Sequence, residues 1–171
     1  MGTDTMWRLP FCNLMTSTEV REIRALARDR SLPKGETLFK EGAPGDAAFV
    51  VVYGSLEVRK HAPGIGSTVI ATVGPNSLVG EMALLTDMPR SGTVVAIDDT
   101  ELLEIPKAAF DALLKKQSVA AFKVCHNIAV MLAERLRRIN QEVVRLTAEL
   151  ATHRSPKEVE TFRKILSQWS F

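Results

Sequence analysis

Histidine and cysteine are scarce in this chain of 171 residues, with three of the first and two of the second. A catalytic metal on a β-scaffold needs clustered histidines with a carboxylate on facing strands. His61, His126 and His153 are scattered, and the last two lie in a helical stretch. The metalloenzyme class is therefore excluded. Cys12 and Cys125 stand alone, without metal-ligand spacing, and are expected to be reduced thiols of a cytoplasmic protein. No apolar run is long enough to span a bilayer, and the first residues lack a signal-peptide pattern. A myristoylation signal would need Ser or Thr where Met6 stands. The chain is thus expected to be soluble, with no membrane partner. Charge of one sign is also lacking: 22 Lys and Arg against 20 Asp and Glu leave +2, too little to demand a polyanion. Arg135, Arg137, Arg138 and Arg145 gather in the last third and read as the wet face of a helix, so DNA binding is not expected.

The chain is rich in apolar residues, 46% of the total, which is enough for one ordinary domain with an appendage. Thr16-Ser17-Thr18-Glu19 forms a capping box ahead of Val20, Ile23 and Leu26, which predicts a first helix ending near Arg30. Short strands follow, over Thr37 to Phe39, Ala48 to Tyr53, Ser55 to Arg59, Ser67 to Val73, Thr93 to Ile97 and Glu101 to Ile105. Turn residues such as Gly42-Ala43-Pro44-Gly45-Asp46 separate them. This spacing predicts a sandwich, a jelly roll or a small barrel. Pro106 is placed to start a helix carrying Phe110, Leu113 and Leu114, and Ser118 to cap the next.

That next helix is expected to run to about Thr152, roughly 50 Å at the rise of an α-helix. Phe122, Cys125, Ala129, Leu132, Leu136, Ile139, Val143, Leu146 and Leu150 alternate in steps of three and four, a heptad seam. One small β-domain cannot cover a helix of that length, so a second copy of the chain is the simplest cover. Ser155-Pro156-Lys157-Glu158 then caps a short last helix whose apolar face is Phe162, Ile165, Leu166, Trp169 and Phe171. That face needs a partner, on the β-domain or on an effector protein. The expected divisions are a helical segment 1–36, a β-roll with its following short helix 37–117, a long dimerisation helix 118–154 and a short helix 155–171.

The chemistry concentrates between Leu78 and Val94. Leu78-Val79 reads as a strand end, Gly80 as a tight turn, Met82 to Thr86 as one helical turn, and Pro89-Arg90-Ser91 as the entry to the next strand. The first N–H groups of a helix attract an anion, and Gly80 would let backbone come close to it. Arg90 adds a planar, permanently charged fork suited to phosphate, and Ser91 a hydroxyl. Glu81 would repel the same anion unless it faced a sugar hydroxyl instead. The loop therefore asks for a phosphate and a ribose hydroxyl a few ångströms apart. No nucleophile stands near a base, and Ser91 has no histidine in sequence range, which leaves open only a pairing distant in sequence.

Gly80-Glu81-Met82-Ala83-Leu84-Leu85 followed by Pro89-Arg90-Ser91 resembles the phosphate-binding cassette of the cyclic nucleotide-binding domain family. The likeness runs from about Phe11 to about Asn140. It implies an α+β fold: an eight-stranded antiparallel β-roll with flanking helices and a long C-terminal helix. It also implies a non-catalytic receptor with no catalytic cofactor, whose expected ligand is cAMP, with cGMP as the alternative, because a hydroxyl at the place of Ser91 occurs in bacterial cAMP receptors whereas a threonine hydroxyl there favours cGMP in certain kinases. Arg90 and Ser91 would hold the phosphate together with backbone N–H groups at Met82 and Ala83, and Glu81 would accept the ribose 2'-OH. Ile70, Leu78 and Val79 would line the pocket. Matching Ala133-Glu134-Arg135-Leu136 to the family's long helix puts Ile139 and Asn140 where base contacts lie, although for Asn140 a solvated amide fits the residue equally. Pro75-Asn76-Ser77 departs from the usual Gly-Asp, and Gly92 from the usual alanine. About twenty residues remain after Leu150, too few for a helix-turn-helix domain. The competing reading is a dimeric scaffold that signals through its last helix without nucleotide.

Overall fold

The computed structural model describes residues 9–62 and 64–153, with side chains of the last helix described as far as Glu149. The proposed final helix and its apolar face, Phe162 to Phe171, lie outside the described residues. The chain divides into two compact units, Met1–Ala129 and Val130–Phe171.

In the first unit a 3-10 turn, Pro10–Cys12, precedes α1 (Ser17–Leu26), and Thr16 closes the capping box with Glu19. Helix α1 stops short of the expected Arg30. Ala27 is extended, and Arg28–Leu32 forms β1, paired antiparallel with β8 (Thr100–Pro106). The roll therefore begins before residue 37. The physical reason is that β1 is a polar edge strand in which only Leu32 is buried, so it carries no alternating pattern. Its pairing comes instead from distant partners: Arg30 meets Glu104 at 3.0 Å, and the Ser31 hydroxyl donates to Glu101 at 2.8 Å.

The remaining strands are β2 (Thr37–Phe39), β3 (Ala47–Tyr53), β4 (Leu56–Ala62), β5 (Gly66–Val73), β6 (Leu78–Val79) and β7 (Thr93–Ala96). Together the eight described strands make two four-stranded antiparallel sheets, in the orders β1-β8-β3-β6 and β2-β7-β4-β5. This is the expected α+β roll. Strand alternation places Ala47, Phe49 and Val51 of β3 inward, in a core with Leu38, Leu56, Val79, Val94, Ala96 and Leu102. Ala48 and Val50 point to the opposite face, where they are buried with their cross-strand partners Ile105 and Leu103. The one-turn helix α2 (Met82–Leu85) packs against β3, and α3 (Lys107–Lys115) against β8. Pro106 ends β8 and caps α3 rather than standing in its first turn. Its φ of −65° and ψ of 130° are extended, so the helix begins one residue later.

Helix α4 (Val119–His153) is 35 residues long and opens on a Ser118 hydroxyl that accepts the Ala121 N–H at 3.3 Å. Within the first unit it buries Ala120, Ala121, Val124, Asn127 and Ile128. That face is not the heptad seam: Phe122 is 53% exposed. In the second unit Leu136, Ile139 and Leu146 of the seam are likewise about half exposed within the single chain. No described helix is long and apolar enough to cross a membrane.

Candidate functional site

The loop between β6 and β7 closes on Arg90. Its guanidinium is folded inward with only 3% of the side chain exposed, and it is held from several directions. Nη1 donates to the Ala47 carbonyl at 2.7 Å and to the Gly80 carbonyl at 3.3 Å, and Nη2 donates to Asp46 Oδ1 at 2.9 Å. The Phe39 ring lies 4.1 Å below the guanidinium carbon, and the Phe49 ring 5.8 Å away, a stack that suits a weakly hydrated planar cation. Burial pushes the Arg90 pKa below its ordinary value, while Asp46 and then Glu81 act against that shift. Among the described residues, Arg90 Nε is the buried side-chain donor left without an acceptor. A buried unsatisfied donor is costly, and an anion that supplied an acceptor there would gain from it.

The main chain explains why the arginine sits here. Arg90 N–H donates to the Ala43 carbonyl at 2.8 Å, and the Arg90 carbonyl accepts from Gly42 at 2.9 Å. These bonds tie the loop before β7 to the loop before β3, whose Asp46 supplies the counter-ion. Gly45 lets the two loops touch, because a Cβ there would come within 2.8 Å of the Ala83 methyl. Gly80 has φ +69°, and a Cβ on it would lie 2.5 Å from Arg90 Nη1. Gly80 thus makes room for the arginine side chain itself, a duty the sequence did not reveal.

The cassette residues come together around this cation. Glu81 is 4% exposed and close enough to Arg90 to affect its charge. Met82 is 37% exposed and Ala83 is buried. Ala83 N–H turns back to the Gly80 carbonyl at 3.1 Å, so that donor is already engaged within the turn. Ser91 is exposed, and its carbonyl accepts from Lys60 at 3.2 Å. Leu78 and Val79 are buried on β6, with Val79 in the core between the sheets. Ile70 stands apart from that core, 58% exposed on β5 at the register shift between Val58 and Arg59. Ile139 and Asn140 belong to the second unit, where Asn140 lines an open groove with Leu136 and Val144. The unusual Pro75-Asn76-Ser77 turn is accommodated by Asn76 at φ +67°, a conformation asparagine tolerates, with its N–H on the Val51 carbonyl at 2.8 Å.

Sequence reasoning missed two of the site's residues: Phe39 and Asp46. Asp46 carried the only available signal, an acid in the glycine-rich loop before β3. Neither its partner nor the ring beneath the guanidinium could be read from local pattern. No group of three or more potential metal ligands occurs among the described residues.

Comparison with known proteins places the same stretch. Residues 29–117 match the cyclic nucleotide-binding domain. The chain is 35% identical over 125 residues to the cyclic AMP receptor protein of Thermus thermophilus, a match covering 73% of this chain and 56% of that one. It is 38% identical over 82 residues to the cAMP-dependent protein kinase regulatory subunit of Dictyostelium discoideum, covering 46% of this chain and 25% of the subunit. A crystal structure of a cyclic nucleotide-binding domain from Methylobacillus flagellatus superposes with a TM-score of 0.75 at 26% identity, covering 83% of this chain and 82% of that domain. The chain spans about half the length of the receptor-type relatives it matches.

Proposed function

Because this chain belongs to the cyclic nucleotide-binding domain family, we propose that it is a non-catalytic receptor for cAMP, with cGMP the alternative ligand, acting as a regulatory module. The observation that carries this reading is Arg90: a buried, permanently charged fork with an orphan Nε–H and a largely exposed carboxylate, Asp46, as counter-ion. A singly charged cyclic phosphate supplies both the missing acceptor and a further negative charge. In the proposed mechanism Arg90 and Ser91 hold the phosphate beside the backbone of Met82 and Ala83, and Glu81 accepts the ribose 2'-OH. Val79, in the core between the sheets, and Ile70, exposed on β5, are the proposed lining near the sugar or base. The preference for cAMP is supported by the names of two relatives, a cyclic AMP receptor protein and a cAMP-dependent kinase subunit.

Binding acts on the output only if the two placements of the C-terminal helices differ in affinity for the nucleotide. Residues 118–154 serve in this proposal as a homodimer interface, since the seam residues Leu136, Ile139 and Leu146 remain about half exposed in one chain. Residues 155–171 are the proposed contact for an effector, and the cytoplasm is the proposed compartment.

The test is calorimetric titration of cAMP and cGMP into protein unfolded and refolded to strip carried nucleotide. Saturable cAMP binding that is absent in a folded Arg90→Ala variant supports the receptor. Binding of neither nucleotide by the folded wild type overturns it. A second reading is favoured by one contact, the Arg90–Asp46 pair, which already neutralises the cation. In that reading the roll is a dimeric scaffold that works without nucleotide. Sedimentation would then find a dimer whose effector binding is unchanged by cAMP.

A further inference from the structure

Lys107, the first residue of α3, touches the Arg90 site from two directions. Its main-chain N–H donates to the Asp46 carbonyl at 2.8 Å. Its ammonium lies 3.5 Å from Asp87 Oδ1 and 3.5 Å from Asp111 Oδ2. The lysine side chain is only 20% exposed, whereas Asp87 is 95% exposed. Asp87 sits three residues before Arg90, in the same loop, and Asp111 one turn further along α3. One side chain therefore bridges the phosphate loop and α3, while its backbone holds the residue whose carboxylate pairs with Arg90.

The contacts form a ring: Asp87 to the Lys107 ammonium, Lys107 N–H to the Asp46 carbonyl, Asp46 carboxylate to Arg90, and Arg90 back through the loop to Asp87. A phosphate arriving at Arg90 competes with the Asp46 carboxylate, so it disturbs the residue that holds the first N–H of α3. Without the ammonium, Asp87 and Asp111 would face each other as like charges.

We propose that Lys107 is a positioning residue that fastens the phosphate loop to the start of α3 and passes a change at Arg90 to that helix. The transmission half of this statement rests on the reading of Arg90 as the phosphate anchor; the fastening half does not.

Amide hydrogen exchange on the full chain tests the two halves separately. In ligand-free protein, Lys107→Met should speed exchange in segments 86–90 and 107–111 by roughly two- to fivefold, the range for a partly exposed ion pair, and leave β3 and β8 unchanged. Lys107→Arg should restore the wild-type rates. High salt should move the wild type toward the methionine variant. Equal rates in wild type and Lys107→Met, or a uniform acceleration across the sheets, would overturn the fastening role. With cAMP added, the wild type should change protection across 107–115 and Lys107→Met should bind with a smaller change, because only the main-chain link to Asp46 remains; an identical change in both would overturn transmission. Failure of the wild type to bind either cAMP or cGMP would overturn the phosphate reading and transmission with it, while the ligand-free rates still decide the fastening.

Discussion

The Arg90 guanidinium and the Asp46 carboxylate meet at 2.9 Å across the boundary between protein and solvent, the arginine 3% exposed and the aspartate 87%. The pair is asymmetric: a buried cation is neutralised by an anion that water can largely solvate by itself. Removing Asp46 harms the partner more than it harms Asp46, because the charge left behind is the desolvated one. Asp46→Asn should lower ligand-free stability by about 1–2 kcal/mol, discounted for the solvent around the carboxylate. A bound phosphate then replaces the lost charge, so cAMP should raise the melting temperature of Asp46→Asn more than that of the wild type. Thermal denaturation with and without nucleotide measures both. An equal rise in the two proteins would mean that Asp46 and the ligand do not share Arg90.

Gly80→Ala should be harmful twice over. Its φ of +69° disfavours an L side chain, at about 1–2 kcal/mol. The added methyl would also press on Arg90 Nη1 and displace the guanidinium. The expected result is a lower melting temperature together with nucleotide affinity reduced at least tenfold, read by calorimetry on the folded variant. A variant that loses stability and keeps its affinity would show that Arg90 need not stay where Gly80 admits it.

Asn127 is 6% exposed on α4 and donates through its amide to the Phe11 carbonyl at 2.9 Å and the Asn13 carbonyl at 2.7 Å. These bonds fasten the N-terminal turn to the helix. Asn127→Ala leaves both carbonyls short of a donor and should cost about 1–3 kcal/mol, or roughly 2–4 °C per kcal/mol for a chain of this size. Chemical denaturation gives the value; a change below about half a kcal/mol would mean that water replaces the amide without loss.

Glu19 and Lys123 supply a pH dependence. The Lys123 ammonium lies 2.8 Å from Glu19, and its hydrogen bond, followed by that from Thr16, holds the Glu19 carboxyl below its usual range. A carboxyl depressed in the folded state contributes stability above its unfolded pKa and loses it as pH falls through the folded one. Wild-type stability should therefore decline more steeply on acidification than that of Glu19→Gln, and the two curves should converge at the acid end. Parallel curves from neutral to acid pH would exclude this pair as a contributor.

Much of the fold was legible in the chain because its signals are local. Val20 and Ile23 after a capping box specify a helix through hydrogen bonds three and four residues apart. The continuous apolar run of β3, the alternation in β7 and the three-four steps from Phe122 onward are likewise properties of a single segment. The loop around Arg90 was legible as a unit for the same reason, with Gly80, Glu81 and Arg90 close in sequence. What only the tertiary structure decided depends on residues distant along the chain. Strand β1 is polar at an edge and exists because β8 pairs with it across about seventy residues. Arg90 turns inward because Phe39, Asp46 and Ala47 converge on it from two strands and a loop, and Gly80 is a glycine to admit that side chain. Lys107 reads as an ordinary first-turn lysine until the fold brings Asp87 beside it. Backbone hydrogen bonding and burial act within a segment and leave a period in the sequence; a buried charge is neutralised by whatever group the folded chain carries to it, and that leaves none.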